Sequence, residues 1–276
     1  MICLLLAVAL LALPSCLKLD DEENAETAAL GVVHYYPSAT YQYSTKVDES
    51  VLKTGLHADY LLLVNKNLPL GEAYVPPSLV TLRTDITYGG KSIELNSRAA
   101  DALYLMVQEM KAAGVTDITV TSAYRSYQYQ TALFHQYLNN ESQGISKNAY
   151  TCFGQDYIQK NYVSRGLDVL SAADARTVVL SYSAAPGTSE HQSGLCVDFM
   201  TSTMTELDLT FENTQAFAWL SQNAYRFGYI LRYPRGKEGI TGYTYEPWHY
   251  RFVGREAATD IYMGKITLEE YLGKTE

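Results

Sequence analysis

Cysteine is scarce, with four in 276 residues. Cys3 and Cys16 fall in or beside an apolar leader, which leaves only Cys152 and Cys196 for a folded domain. An exported chain with so few thiols is not a disulfide scaffold. Cys196 sits in an apolar run, so its expected state is a free buried thiol. Positive charge is also in short supply: 21 Lys and Arg against 30 Asp and Glu give a net charge of -9. That balance argues against a nucleic-acid partner. The apolar run Ile2 to Leu13 falls short of the roughly 20 residues a membrane helix needs, though it has the length of a signal peptide. No internal repeat or low-complexity block is visible, which excludes solenoid architectures. What is plentiful is apolar residues, at 47%, enough for a sizeable core in one large or two small domains. Tyrosine, at 24 against 7 Phe and 2 Trp, supplies apolar area with a polar tip, which suits half-wet sheet faces and a polar groove.

The leader ends Leu13-Pro-Ser-Cys16. This resembles the lipobox of bacterial lipoproteins, which implies a lipid on Cys16 as the new N-terminus. Asp20 to Glu23 and the polar residues after them read as a solvated tether. The expected organisation is a lipoprotein-type signal over 1–16, a polar tether and lead-in over 17–50, and one domain over 51–276. The expected location is outside the cytoplasm, held to the membrane by that lipid.

Within the domain, Asp59 to Lys66 reads as a buried strand followed by a Pro-rich loop. Leu103, Met106, Val107 and Met110 recur at helical spacing before Gly114, which stands where a C-terminal cap belongs. Asp117 to Thr121 alternates as a strand and delivers Arg125 to the start of a helix, where its rigid fork of donors can grip a carboxylate or an oxyanion. That helix continues through Leu133, Phe134 and Tyr137. Residues 139–170 are polar and read as an irregular insertion over the domain edge or near a cleft. Ser171 caps a helix to Ala185, and Asn213 caps another that stops at Gly228. Tyr229 to Tyr233 is a strand, the Gly-rich stretch from Pro234 to Gly242 returns as a hairpin, and Thr267 to Glu270 has the form of a capping box. Helices and strands mix without regular βαβ alternation, which predicts an α+β domain.

Two stretches carry the chemistry. In Thr188 to Phe199, Gly194 permits a tight turn after His191, and Leu195, Val197 and Phe199 then alternate with Cys196 and Asp198, a strand signature. In Tyr245 to Arg251, Glu246 and His249 stand three apart, and a turn at Pro247 is needed to bring them together. Two imidazoles and one carboxylate suit Zn²⁺, and three protein ligands with a fourth position for water is the pattern of a catalytic site. His34, His57 and His135 lack any ligand-like context.

Four motifs together resemble the VanY-type D-alanyl-D-alanine carboxypeptidases: Ser122 to Ser126 with Gln130, Pro186 to Phe199, Leu231 to Lys237, and Tyr245 to Arg251. Leu62 to Lys66 also matches. The resemblance implies a single zinc domain of the Hedgehog/D,D-peptidase fold, mainly antiparallel sheet with flanking helices. It implies one zinc held by His191, Asp198 and His249, Glu246 as general base, and Arg125 at the substrate. It places Ser189, Gln130 and Tyr233 along the peptide groove. The implied reaction removes the C-terminal D-alanine of peptidoglycan stem peptides, by a protein expected to be a monomer. Two alternatives stand beside it, an L,D-carboxypeptidase acting on tetrapeptide stems and a non-catalytic zinc-binding module of the same fold. The chain departs from the pattern at Cys196, where relatives commonly carry a small residue such as alanine, and in the length of 139–170.

Overall fold

The computed structural model describes residues 41–55 and 57–275. The expected signal peptide and the lipid-bearing Cys16 lie outside the described residues. Among these residues the centre is a four-stranded antiparallel sheet ordered β3 (Thr119–Ser122), β4 (Cys196–Met200), β6 (His249–Phe252) and β5 (Tyr229–Leu231). A separate hairpin pairs β1 (Leu79–Thr81) with β2 (Glu94–Asn96). The expected α+β architecture with mainly antiparallel pairing is therefore what the chain adopts.

Helix α1 (Ser97–Ala112) begins where the Asn96 side chain accepts hydrogen bonds from the amides of Arg98 and Ala99, satisfying two donors that a helix leaves orphaned. It ends at Gly114, whose φ of 82° is a left-handed conformation that costs glycine nothing. Leu103, Met106, Val107 and Met110 are buried, and they share one core with Val197, Phe199, Tyr250 and Phe252 from the sheet. Full burial of each such side chain is worth about 1.5–3 kcal/mol, so this layer anchors the face of β4 and β6 that lies away from the chemistry. Strand β4 is buried along its whole length, on both faces.

The expected strand over Asp59 to Lys66 is not one. Leu61, Leu63 and Val64 are buried as the apolar run demands. Their backbone joins no sheet, because the carbonyls of Tyr60 and Leu62 accept from Nη2 of Arg251 at 3.0 and 2.7 Å. The described end of the expected lead-in packs on the domain. Tyr43 packs edge-on against Phe227, the amides of Ser44 and Thr45 donate to Glu109, and a helical turn forms at Glu49–Leu52.

The insertion is helical rather than irregular. After α2 (Tyr127–Glu141) come α3 (Lys147–Phe153) and α4 (Gln155–Asn161), and then α5 (Ala172–Tyr182), capped by Ser171 as expected. Ala149, Ile158, Tyr162, Leu170, Ala175 and Val178 form a small core of their own. Helix α6 (Gln215–Asn223) is capped by Thr214 rather than Asn213. Helix α7 (Arg255–Gly264) follows β6, and Thr267 with Glu270 forms the capping box of the last helical turn, Leu268–Tyr271.

Candidate functional site

Strand register does the first part of the assembly. Asp198 of β4 stands directly opposite His249 of β6, and Ser122 at the end of β3 pairs with Asp198 from the other side. Directly opposed residues share a face, so Asp198 and His249 meet. His191 arrives from the short 3₁₀ turn Glu190–Ser193, which Gly194 closes with φ 68°. A side chain at 194 would press within 3.0 Å of Leu79 and Pro76. Pro247 and Trp248 make the expected turn, with the His249 amide donating to the Glu246 carbonyl at 3.2 Å.

The Asp198 carboxylate bridges both imidazoles, at 3.1 Å from Nε2 of His191 and 3.0 Å from Nδ1 of His249. Glu246 Oε2 lies 3.7 Å from the same Nδ1. The far ring nitrogens are held as well. Nδ1 of His191 donates to the Ala123 carbonyl at 2.5 Å, and Nε2 of His249 faces Glu190 Oε2 at 3.4 Å. Such outer contacts fix ring orientation and leave the inner nitrogens free for a cation. The Cys196 sulfur joins this group, since one donor atom each from His191, Cys196 and His249 all lie within 4.8 Å of one another. Cys196 is a free, fully buried thiol, as expected.

Behind His249 is a buried ionic network. Glu190 Oε1 accepts from Nε of Arg232 at 2.7 Å and from Nη1 of Arg251 at 2.8 Å. Glu269 takes Arg232 in a bidentate pair at 2.8 and 2.6 Å. None of these four side chains reaches solvent. Two carboxylates and two guanidiniums balance, which is what makes charge at this depth tolerable. Sequence reasoning missed all four roles. The available signal was an arginine in each of two otherwise apolar strand runs, Tyr229 to Tyr233 and His249 to Val253, since a buried arginine requires a buried acid.

Electrostatics follow from this packing. Burial would raise the Glu190 carboxyl, but Arg232 and Arg251 outweigh it and hold the group well below the usual range. Burial pulls His191 down, and Arg125 adds to that; Asp198 and Cys196 prevail and raise it to about 9. Burial works against ionised Asp198 too, yet His191 and His249 keep it far below its ordinary value. Basic imidazoles around a strongly acidic carboxylate make a place where a dication can replace protons. Glu246 differs, because burial dominates and lifts it to about 7.

These groups line a cleft of about 480 Å³. His191, Asp198, His249, Glu246, Arg125, Ser189 and Tyr233 all border it. The Nε of Arg125 is buried without a hydrogen-bond partner. Gln130 is the correction. It is 2% exposed and stands behind the wall, where its Nε2 donates to the carbonyl of Ala184, a cleft-lining residue, at 2.7 Å. The lining also includes Asn148 from the inserted segment and Tyr182 from the end of α5.

An α+β domain with an imidazole–carboxylate cluster, a buried glutamate and an arginine around one cleft is the arrangement of a metallopeptidase. The sequence profile of the family VanY, D-alanyl-D-alanine carboxypeptidase, matches residues 92–255. A D-alanyl-D-alanine carboxypeptidase of Enterococcus faecalis (strain ATCC 700802 / V583) is 34% identical over 77% of this chain, which spans 65% of that relative. Among solved structures, the LdcB LD-carboxypeptidase superposes with a TM-score of 0.59 at 33% identity, covering 84% of this chain and 94% of that one. A mutant of the vancomycin resistance D,D-pentapeptidase VanY in complex with Zn(II) gives 0.57 at 33% identity, covering 78% and 99%. The chain belongs to the VanY family of D-alanyl-D-alanine carboxypeptidases. It is accordingly an enzyme of the carboxypeptidase class.

Proposed function

We propose that the chain is a zinc carboxypeptidase that releases the C-terminal D-alanine from peptidoglycan stem peptides ending in D-Ala-D-Ala. The observation that carries this reading is Asp198 between His191 and His249, with Glu246 at 3.7 Å in the same cleft. The donor set fits the metal. Imidazole, carboxylate and a nearby thiol are the ligand types zinc takes, and His191, Asp198 and His249 would hold it. A bound zinc supplies Lewis-acid polarisation and makes a hydrolytic water more acidic.

The chain's own residues do the rest. Glu246, lifted to about 7, can take a proton and return it near neutral pH, which suits a base that then protonates the departing amine. Arg125 offers the cleft a guanidinium for the oxyanion or for the free carboxylate of the substrate. Ser189 and Tyr233 border the peptide path, and Gln130 supports it through Ala184.

The test is hydrolysis of muramyl pentapeptide and tetrapeptide by the purified chain, with D-alanine followed by chromatography. The expected result is release from the pentapeptide, loss of activity in a chelator and recovery with Zn²⁺. A chain free of metal by elemental analysis, with activity indifferent to chelator, would sink the reading. A second reading rests on the likeness to the LdcB LD-carboxypeptidase. Release from the tetrapeptide alone would select it. We also infer attachment outside the cytoplasm through lipid on Cys16, supported by the leader and Leu13-Pro-Ser-Cys16. Among the described residues no helix is long and apolar enough to cross a membrane. Mass spectrometry of the mature N-terminus decides the matter, and an unmodified chain beginning after Cys16 refutes it.

A further inference from the structure

We propose that the inserted helices carry a recognition subsite for the stem peptide on the N-terminal side of its D-alanine pair. Asn148 and Tyr182 would be the contacting side chains, and Glu141 the residue that positions them. The inference rests on the carboxypeptidase reading and names what that site recognises beyond the scissile bond.

Glu141 is the last residue of α2, 3% exposed, and no cation is paired with it among the described residues. A buried carboxylate without a counter-ion is expensive unless hydrogen-bonded. Three donors converge on it: Ser146 Oγ at 2.5 Å, Asn148 Nδ2 at 3.1 Å and the Tyr182 hydroxyl at 3.1 Å. Two of those donors belong to side chains that border the same cleft as the imidazoles. A carboxylate only accepts, so it fixes which way the Asn148 amide points and which way the Tyr182 hydroxyl turns. Asn148 is then left with its carbonyl oxygen, an acceptor that a peptide N–H can fill. The Tyr182 ring meets Tyr137 edge-on at 5.4 Å, giving the same wall an aromatic face.

The segment does not owe its place to the central sheet. Its helices pack on a core separate from the one that holds β3 to β6. Three cleft-facing side chains, Tyr137, Asn148 and Tyr182, are what it and its flanking helices add beside the chemistry. Binding energy gathered from a remote part of a substrate is spent at the reacting bond, so such a wall raises turnover of long substrates over short ones.

The experiment compares kcat/KM for the muramyl pentapeptide and for N-acetyl-D-Ala-D-Ala in the full chain, in Glu141→Gln and in Tyr182→Phe. The parent should favour the pentapeptide, and each variant should lower the ratio of the two constants by about tenfold, the factor equivalent to one modest hydrogen bond. A purely structural role for Glu141 would depress both substrates in proportion and leave the ratio unchanged, which overturns the proposal. So does a parent with no preference for the longer peptide. Should Glu141→Gln fail to fold, Tyr182→Phe, which removes one hydroxyl, decides alone. If the parent hydrolyses neither substrate, the carboxypeptidase reading itself falls and takes this inference with it.

Discussion

Replacing Glu190 with glutamine removes one charge from a balanced buried set and keeps the shape. Arg232 then keeps Glu269 while Arg251 keeps only backbone carbonyls, leaving one uncompensated positive charge where none of the four side chains is exposed. Breaking a buried pair in this way costs about 3–5 kcal/mol. At roughly 2–4 °C per kcal/mol for a domain of this size, the metal-free protein should melt roughly 6–20 °C lower. The same change weakens the contact between Glu190 Oε2 and Nε2 of His249, and loss of such an outer partner lowers metal affinity by about 10- to 100-fold. Glu269→Gln provides the control. It creates the same charge deficit, but Glu269 reaches His249 only through Arg232 and Glu190. The expected pattern is that both variants lose stability in chelator by denaturant titration, and only Glu190→Gln loses zinc affinity by competition with a chromophoric chelator. If Glu190→Gln in chelator stayed within about 1 kcal/mol of the parent, the network would not bear the weight assigned to it.

Glu246→Gln should bind zinc as the parent does and lose turnover by roughly 10²-fold or more, whereas His249→Ala should lose metal as well; zinc loss in Glu246→Gln would show that the two roles are misassigned. Cys196→Ala keeps both imidazoles and the Asp198 carboxylate, so metal analysis should still find one zinc per chain, and a metal-free variant would make the thiol an obligatory ligand. Acid should destabilise the chelator-treated protein. Glu190 and Asp198 titrate below their unfolded values of 4.5 and 3.8, so their contribution is full above those values and fades as pH falls toward the folded ones. Denaturant midpoints measured downward from pH 5 should show a steeper decline for the parent than for Glu190→Gln, and parallel curves would contradict the linkage.

The candidate ligands were legible because they sit in short local patterns. The Gly194 turn followed by apolar alternation does place Asp198 on a strand, and the need for a turn at Pro247 follows from three-residue spacing. What was not legible depends on partners far away in the chain. Asp59 to Lys66 has the composition of a strand, but Arg251 takes its carbonyls. Residues 139–170 look polar because their core is built from small residues and single apolar ones such as Ala149 and Ile158. Gln130 matched a motif, yet its Nε2 goes to the carbonyl of Ala184 behind the wall. Nothing local announces that the amides of Ser44 and Thr45, in the expected lead-in, will meet Glu109.

The way Arg251 and Arg232 are satisfied has a consequence for biosynthesis. Their partners are the carbonyls of Tyr60 and Leu62, near the start of the folded region, and Glu269, near its end. As the chain emerges N-terminus first, both arginines and all the zinc-ligand candidates appear before Glu269 does. A nascent domain lacking its last helical turn would hold Arg232 and Arg251 against Glu190 with one acid too few. Completion of the balanced ionic network is therefore deferred until residue 269 is available. A chain cut short before residue 269 should be recognisable as defective by its lowered stability, with Arg232 short of one buried acid.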